Sequence, residues 1–187
     1  PQTLDASGEA TLTTDTLSSG SHTIMATYQG NANQSPSSGT KTHVVDLIAT
    51  TTTLVSSANP STLAESIDIT ATVAPASGGA VPTGNVSLFI NGALFAVVPL
   101  NASGELPFNF TPSYVGTYTF EIVYPGSAIH AGSSGTLIQT VNLNPTTTAL
   151  VPSANPSNAG DPVTFTATVI PTSGAGTPTG SVTFSVD

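Results

Sequence analysis

The sequence contains no cysteine among its 187 residues. Without thiols the chain has neither a disulfide framework nor a thiolate metal site. Cysteine usage therefore says nothing about the redox compartment. A unit of roughly 95 residues can bury a core without such cross-links, so a stable fold does not require them.

Basic residues are nearly absent as well. Lys41 is the only lysine, there is no arginine, and ten carboxylates give a formal net charge of −9. A protein that binds nucleic acid needs several lysines or arginines to neutralise phosphates. The composition therefore argues against nucleic acid as a partner, and it disfavours anionic membrane surfaces for the same reason.

Charge of either sign is scarce, at 6% of residues, whereas an average globular domain has about a quarter. Serine, threonine, asparagine and glycine provide the solubility, and a surface with almost no lysine suits an exported protein exposed to trypsin-like proteases. No apolar run approaches the ~18 residues of a membrane-spanning helix, and no signal peptide is present. We expect an extracellular or cell-surface location without membrane insertion, with any targeting segment outside this sequence.

What the sequence does contain is internal repetition, at a constant spacing of 96 residues. Thr50–Thr52 recurs as Thr146–Thr148, Ser57–Ser61 recurs as Ser153–Ser157, and Ser7–Glu9 matches Ser103–Glu105. A fixed period predicts a repeat architecture. Repeated small units more often provide length than chemistry.

Apolar residues alternate with polar ones along each period, which predicts strands with one buried face. Asn91-Gly92 predicts a two-residue hairpin turn, and no segment has helical periodicity. About seven short strands in roughly 95 residues predict an all-β fold of sandwich type. The predicted inward residues are Ile67, Ile69, Ala71, Val73, Val86, Leu88, Ile90, Leu94, Ala96, Val98, Leu100, Leu106, Phe108, Phe110, Tyr118, Phe120, Ile122 and Tyr124, with His22, Ile24, Ala26, Tyr28, Val163, Phe165, Ala167, Val169, Val182, Phe184 and Val186 at equivalent positions.

The register divides the chain into three parts. Residues 48–143 form one complete repeat, residues 1–47 the C-terminal half of a repeat, and residues 144–187 the N-terminal half of another. Each half alone would expose an apolar sheet face and unpaired strand edges. Two explanations stay open: an arbitrary cut from a longer repeat protein, or a filament in which neighbouring copies complete each other's halves. The short connections between repeats predict a stiff rod.

Several sequence blocks occur in a consistent order along the chain. They are Thr-Thr-Thr, Ala-Asn-Pro-Ser, Val163–Val169, Pro178–Phe184 and Gly20–Asn31. These blocks resemble the tandem bacterial Ig-like repeats (group 3 type) of large secreted and surface proteins, and the resemblance spans the whole chain. It implies tandem Ig-like β-sandwiches in stalks, adhesins or surface layers, and it supplies no catalytic residues. The cysteine pair and the buried tryptophan of antibody domains are absent.

Residues with metal or acid–base chemistry do not recur in the register. His22, His43 and His130 align with Tyr118, Gln139 and Gln34, so we predict core or rim histidines. The carboxylates are scattered; calcium at the inter-repeat loops is the alternative to solvated turn residues. No Gly-x-Ser-x-Gly motif between a strand and a helix is present. We therefore predict no catalytic residue, no metal site and no cofactor.

One group of exposed apolar residues distinguishes the complete repeat. Phe89, Phe95 and Val97 lie on the predicted outward face of the Asn91-Gly92 hairpin, whereas Ser185 is the equivalent of Phe89. Such residues suggest an interface with another chain or domain. The alternative is that Phe89 packs under a loop or in a second small cluster.

Together these observations predict a structural extracellular repeat protein: a stalk, spacer or filament subunit rather than an enzyme. Its expected partners are copies of itself or neighbouring repeats of the same protein. Two alternatives stay open. An adhesin would bind glycan or a surface protein through its loops, with exposed aromatics at a loop end. An accessory module would be attached to a secreted enzyme.

Overall fold

The computed structural model describes residues 1–172 and 176–187, and these contain twelve strands and no helix, which confirms the predicted all-β Ig-like fold. The strands in chain order are β1 Gly20–Tyr28, β2 Ser37–Val45, β3 Thr50–Ser56, β4 Ser61–Thr62, β5 Ile67–Pro75, β6 Asn85–Ile90, β7 Ala93–Pro99, β8 Glu105–Phe110, β9 Gly116–Tyr124, β10 Ser133–Asn142, β11 Thr146–Pro152 and β12 Phe165–Pro171.

Strands β3 to β10 form two sheets, which we call the central sandwich. One sheet has the order β4-β10-β9-β6-β7 and the other the order β3-β5-β8. Neighbouring strands are antiparallel except for the short β4, which pairs with β10 in parallel. Residues from both sheets contribute to a single buried apolar cluster between them.

Alternation of apolar and polar residues places this core. In β5 and β9 every second residue is buried, and Ile69 and Phe120 have no exposed surface. Burial of one such side chain stabilises the fold by about 1.5–3 kcal/mol. The ring of Phe110 packs edge-on against Tyr118 and Phe120, with centroids 4.8 and 4.9 Å away, an arrangement that adds to the area term.

The predicted hairpin joins β6 to β7. Asn91 and Gly92 have φ values of 51° and 79°, and positive φ at both turn residues is what a type I′ turn requires. The side chain of Asn91 fixes the turn to the sheet, because its Oδ1 accepts a hydrogen bond of 2.8 Å from the Thr119 N–H.

One residue of this hairpin faces the other way from its prediction. Leu94 was expected to point inward, yet it is 58% exposed. The pairing shifts between Leu88 and Phe89: Leu88 lies opposite Ala96, Phe89 opposite Leu94, and Phe95 is the additional residue of a bulge. A bulge reverses the alternation beyond it, so Leu94 shares the outward face of Phe89.

Two further strand pairs lie outside the central sandwich, β1–β2 and β11–β12. Their registers repeat those of the central sandwich at a shift of 96 residues. Gly20 pairs with Val45 as Gly116 pairs with Val141, and Thr146 pairs with Pro171 as Thr50 pairs with Pro75. The division of the chain at residues 47 and 143 stays a prediction.

The predicted strand at Val182, Phe184 and Val186 is wrong for this chain. Residues 181–187 form no strand, and these three side chains are 46%, 56% and 94% exposed. Their equivalents in β6 lie between β7 and β9, whereas none of the described strands pairs with residues 181–187. Phe165, also expected to point inward, is 53% exposed, because among the described strands β12 makes extended contact only with β11.

Candidate functional site

The clearest exposed feature of the central sandwich is an apolar patch on the β6–β7 hairpin, formed by Phe89, Leu94, Phe95 and Val97. Phe95 and Val97 are 70% and 57% exposed, and Phe89 is half-buried. Strand β7 is the edge of its sheet. The patch therefore combines apolar side chains with an open strand edge, two features that favour contact with another molecule.

Sequence reasoning found three members of this β6–β7 patch and missed Leu94. The alternation places Leu94 on the face of Ala96, and the bulge that moves it has no separate mark in the sequence. Tyr114 was missed too. Its ring stacks on Tyr118 at 4.3 Å, its hydroxyl accepts a 2.7 Å hydrogen bond from Asn91 Nδ2, and it is 46% exposed.

The three histidines do not form a site together. His22 and His43 lie opposite each other in the β1–β2 pair, but His22 Nε2 is 2.7 Å from the Ser18 carbonyl oxygen. His130 is buried, with Nδ1 3.1 Å from Ser127 Oγ and Nε2 2.8 Å from the Ala80 carbonyl oxygen. Among residues 1–172 and 176–187, no group of three or more His, Cys, Asp or Glu side chains could hold a metal ion.

The carboxylates with shifted pKa values stabilise turns. Backbone and side-chain hydrogen bonds from Thr62, at 2.7 and 2.9 Å, lower the pKa of Glu65. Backbone N–H groups of Glu9 and Ser7 lower the pKa of Asp5 in the same way. A carboxylate that accepts such bonds is favoured in its charged form, so both groups act as local turn caps.

Gln139 is a buried polar residue that the periodicity did not single out. Its Nε2 donates to the Ala58 carbonyl oxygen at 2.8 Å and to Ser61 Oγ at 3.1 Å. These bonds fix the segment before β4 against β10. Within the described part of the chain, Gln139 Oε1 has no hydrogen-bond partner.

The comparison with protein families decides what kind of domain this is. The family model of the bacterial Ig-like domain (group 3) matches residues 1–46 and 54–142. The chain belongs to this family. No individually curated protein matches it.

Family membership limits the functions open to this bacterial Ig-like chain. Domains of this family are generally non-enzymatic, and they typically occur in extracellular or surface proteins of bacteria. The described residues contain no helix that could span a membrane. The family indicates a surface or structural module and leaves the finer role open.

The second candidate surface of the Ig-like chain is the face of β1–β2 that the register places inward. His22, Ile24 and Tyr28 are only half-buried, whereas their equivalents Tyr118, Phe120 and Tyr124 are at most 4% exposed. An open hollow of about 820 Å³ lies beside these strands, lined among others by Leu4, Ala10, Ala26, Tyr28 and Gly39. Among the strands that the structure describes, β1 and β2 make extended contact only with each other.

Proposed function

We propose that this chain is a structural module of an extracellular bacterial surface protein, acting as a stalk, spacer or filament subunit. The observation that supports this most strongly is the arrangement of two segments of the central sandwich, residues 50–62 at its start and residues 131–142 at its end. They run side by side in the same direction, so a pull on the two ends of the sandwich loads all their contacts together.

Hydroxyl groups join the start of these two segments. Thr50 Oγ1 donates to the Ala131 carbonyl oxygen and lies 2.8 Å from Ser133 Oγ, and Thr52 Oγ1 is 2.7 Å from the same Ser133 oxygen. Thr52 and Ser133 are buried or half-buried, where a hydrogen bond is worth more than at the surface.

A side chain and a short parallel strand pair join the two segments further along. Asn59 bridges two β10 residues, donating to the Ile138 carbonyl oxygen at 2.7 Å and accepting from the Thr140 N–H at 3.0 Å. Ser61 and Thr62 then pair in parallel with the end of β10. Separating the segments along their length breaks these bonds at once rather than one by one, which favours a unit that keeps its length under tension.

The segment that leads from β2 into the central sandwich is also hydrogen-bonded to it. The Ile48 N–H donates to the Ile129 carbonyl oxygen, and the Ala131 N–H donates to the Ile48 carbonyl oxygen, both at 2.8 Å. Ser19 Oγ adds a 3.1 Å hydrogen bond to the Ala128 carbonyl oxygen. A connection tied in this way supports a stiff spacer.

Pulling single molecules by both chain ends tests this role. We expect one dominant rupture of the central sandwich with a length gain of about 300 Å for its residues 50–142. Thr52→Val removes a buried hydroxyl and lowers the rupture force, whereas the exposed neighbour variant Thr53→Val leaves it unchanged. Smooth extension without a distinct rupture would argue against a structural role under tension.

The alternative is an adhesin that binds glycan or a surface protein, and its test in this chain is the exposed β6–β7 patch. Its members lie along two strands, whereas loop recognition favours aromatics at a loop end. A glycan array distinguishes the two: retention that Phe95→Ser abolishes and the equally exposed Val55→Ser preserves would favour the adhesin. No retention leaves the patch as a proposed contact with a neighbouring repeat or copy.

A further inference from the structure

We propose that the exposed face of β1–β2 in one copy of the chain is covered by β11–β12 and residues 181–187 of a second copy. The two segments would then complete a second sandwich between copies. This rests on the proposed structural role and names its partner. Three observations support it, each obtained by shifting contacts of the central sandwich by 96 residues.

The first observation is a glycine with no function in the isolated chain. A side-chain carbon at Gly135 would overlap the backbone carbonyl of Thr52, so the two sheets of the central sandwich approach too closely for any other residue. The equivalent glycine, Gly39, has nothing within 4 Å of such a carbon. The equivalent of Thr52 is Thr148 in β11. A segment like β11 lying over position 39 would give Gly39 the role that Gly135 has in the central sandwich.

The second observation is the set of hydroxyl groups that joins the two segments. The bonded trio Thr50, Thr52 and Ser133 of the central sandwich has its complete counterpart in this chain. The counterpart is Thr146 and Thr148 in β11 and Ser37 in β2. Within the described residues of one copy, β2 and β11 make no extended contact, and in this proposal the trio forms where β11 of one copy meets β2 of the next.

The third observation is a compensation of side-chain size. Leu88 pairs with Ile122 in the core of the central sandwich, and the equivalent residues are Phe184 and Ala26. A larger residue at one end of the chain therefore matches a smaller one at the other end. The exchange is in the direction of a compensation, with Phe184 and Ala26 together filling less volume than Leu88 and Ile122, and a packed core tolerates such paired changes better than a change in one residue alone.

A second pair shows the same compensation. Ile69 lies opposite Phe108 in the central sandwich, and the equivalents are Phe165 and Leu12. The aromatic member of the pair is therefore on β8 in the central sandwich, and on β12 at the end of the chain. Phe165 and Leu12 are 53% and 70% exposed in one copy. Because the matching residues belong to the two ends of the same sequence, the occupant we infer is a second copy of this chain.

Polar residues on the β1–β2 face are compatible with a contact between copies. His22 and His43 occupy the positions of Tyr118 and Gln139, the polar members of that part of the core. Lys41 replaces the half-buried Leu137. At such a rim position the aliphatic stem packs on the sheet while the amine reaches water.

The interface joins one end of a copy to the opposite end of the next. Such a head-to-tail contact produces an open filament, or a ring if the rotation closes. Sedimentation of the full 187-residue chain over a range of concentrations should therefore give masses that rise above the 18.6 kDa of one copy.

Size-swap variants test the packing directly. Ala26→Ile alone crowds Phe184, and Phe184→Leu alone leaves a gap, so each should weaken association by about tenfold or more. The double variant recreates the Ile122–Leu88 pair and should restore association. Gly39→Val should abolish association, whereas Thr40→Val on the opposite face should not.

Two results would overturn the proposal. One is a single copy at every concentration, which assigns the exposed face to another partner. The other is association that none of these variants changes, which places the contact elsewhere, for instance at the β6–β7 patch. In either case a single rupture of the central sandwich under force would still support the structural role, so the two proposals can fail separately.

Discussion

At the scale of single residues, the same residue type has opposite roles in this chain. Phe120 has no exposed surface and contacts the rings of Phe108 and Phe110, whereas Phe95 is 70% exposed on the edge strand. Their substitutions separate core packing from surface contact.

Phe120→Ala should lower the free energy of unfolding by about 3–5 kcal/mol, because it removes a buried ring and leaves a cavity. Phe95→Ala should change it by less than about 0.5 kcal/mol, because the ring is exposed to water. Urea titration of the full chain measures both values. An equal loss for the two variants would mean that Phe95 packs in the folded core.

The capped carboxylates predict an acid response. The pKa of Glu65 is lowered in the folded chain by hydrogen bonds from Thr62. Its contribution to stability is therefore present above the ordinary pKa range of glutamate and is lost as the pH falls through the lowered folded value.

We expect Glu65→Gln to reduce the fall of melting temperature with acidification below the ordinary range of a glutamate. The effect should be small, since the group is exposed and screened by solvent. Asp15→Asn, which removes another exposed carboxylate, is the matched control. A Glu65→Gln profile that follows the wild type at every pH would contradict the capping role.

At the scale of strands, alternation predicts the fold where one face is buried. Strands β5, β8 and β9 and the Asn91-Gly92 turn follow directly from the period-two pattern and the turn residues. The pattern fails at Leu94, because a bulge depends on the local pairing of two strands. It also fails at residues 181–187, because a strand forms only when a neighbouring strand pairs with it.

Two glycines at equivalent positions give a prediction for the sheet contact. Gly135→Ala should destabilise the central sandwich by about 1–3 kcal/mol, because the added carbon overlaps the Thr52 carbonyl. Gly39→Ala should leave the melting temperature of the dilute chain unchanged, because the space around it is open. Differential scanning calorimetry compares the two, and an unaffected Gly135→Ala would refute the close approach of the sheets.

At the scale of the whole molecule, the sequence predicts much of the architecture and only part of the site. The register predicts most of the inward residues of the central sandwich, and the resemblance to bacterial Ig-like repeats correctly predicts the family. The matching halves at the two ends stay a prediction. The β6–β7 patch could be found because Phe89, Phe95 and Val97 are apolar on an outward face. Tyr114 could not, because it lies in an irregular segment without periodicity.

Hydrogen bonds between segments that are distant in the sequence could likewise not be predicted. The contacts of Thr52 with Ser133 and of Asn59 with β10 join residues about 80 positions apart. Their residue types are abundant throughout the chain, so no pattern marks them in advance. Only the folding of the sandwich brings them together, and the proposed contact between copies has the same arrangement of strands.

Cross-linking tests the proposed contact between copies most directly, because the chain has no cysteine of its own. Phe89 pairs with Glu121 on the outer face of the central sandwich, and the equivalents are Ser185 and Met25. Mixing Met25→Cys with Ser185→Cys chains under oxidising conditions should give a disulfide-linked heterodimer as the main product, with Met25→Cys and Val55→Cys as the control mixture. A heterodimer yield no higher than that of the control would contradict the completion of one copy by the next.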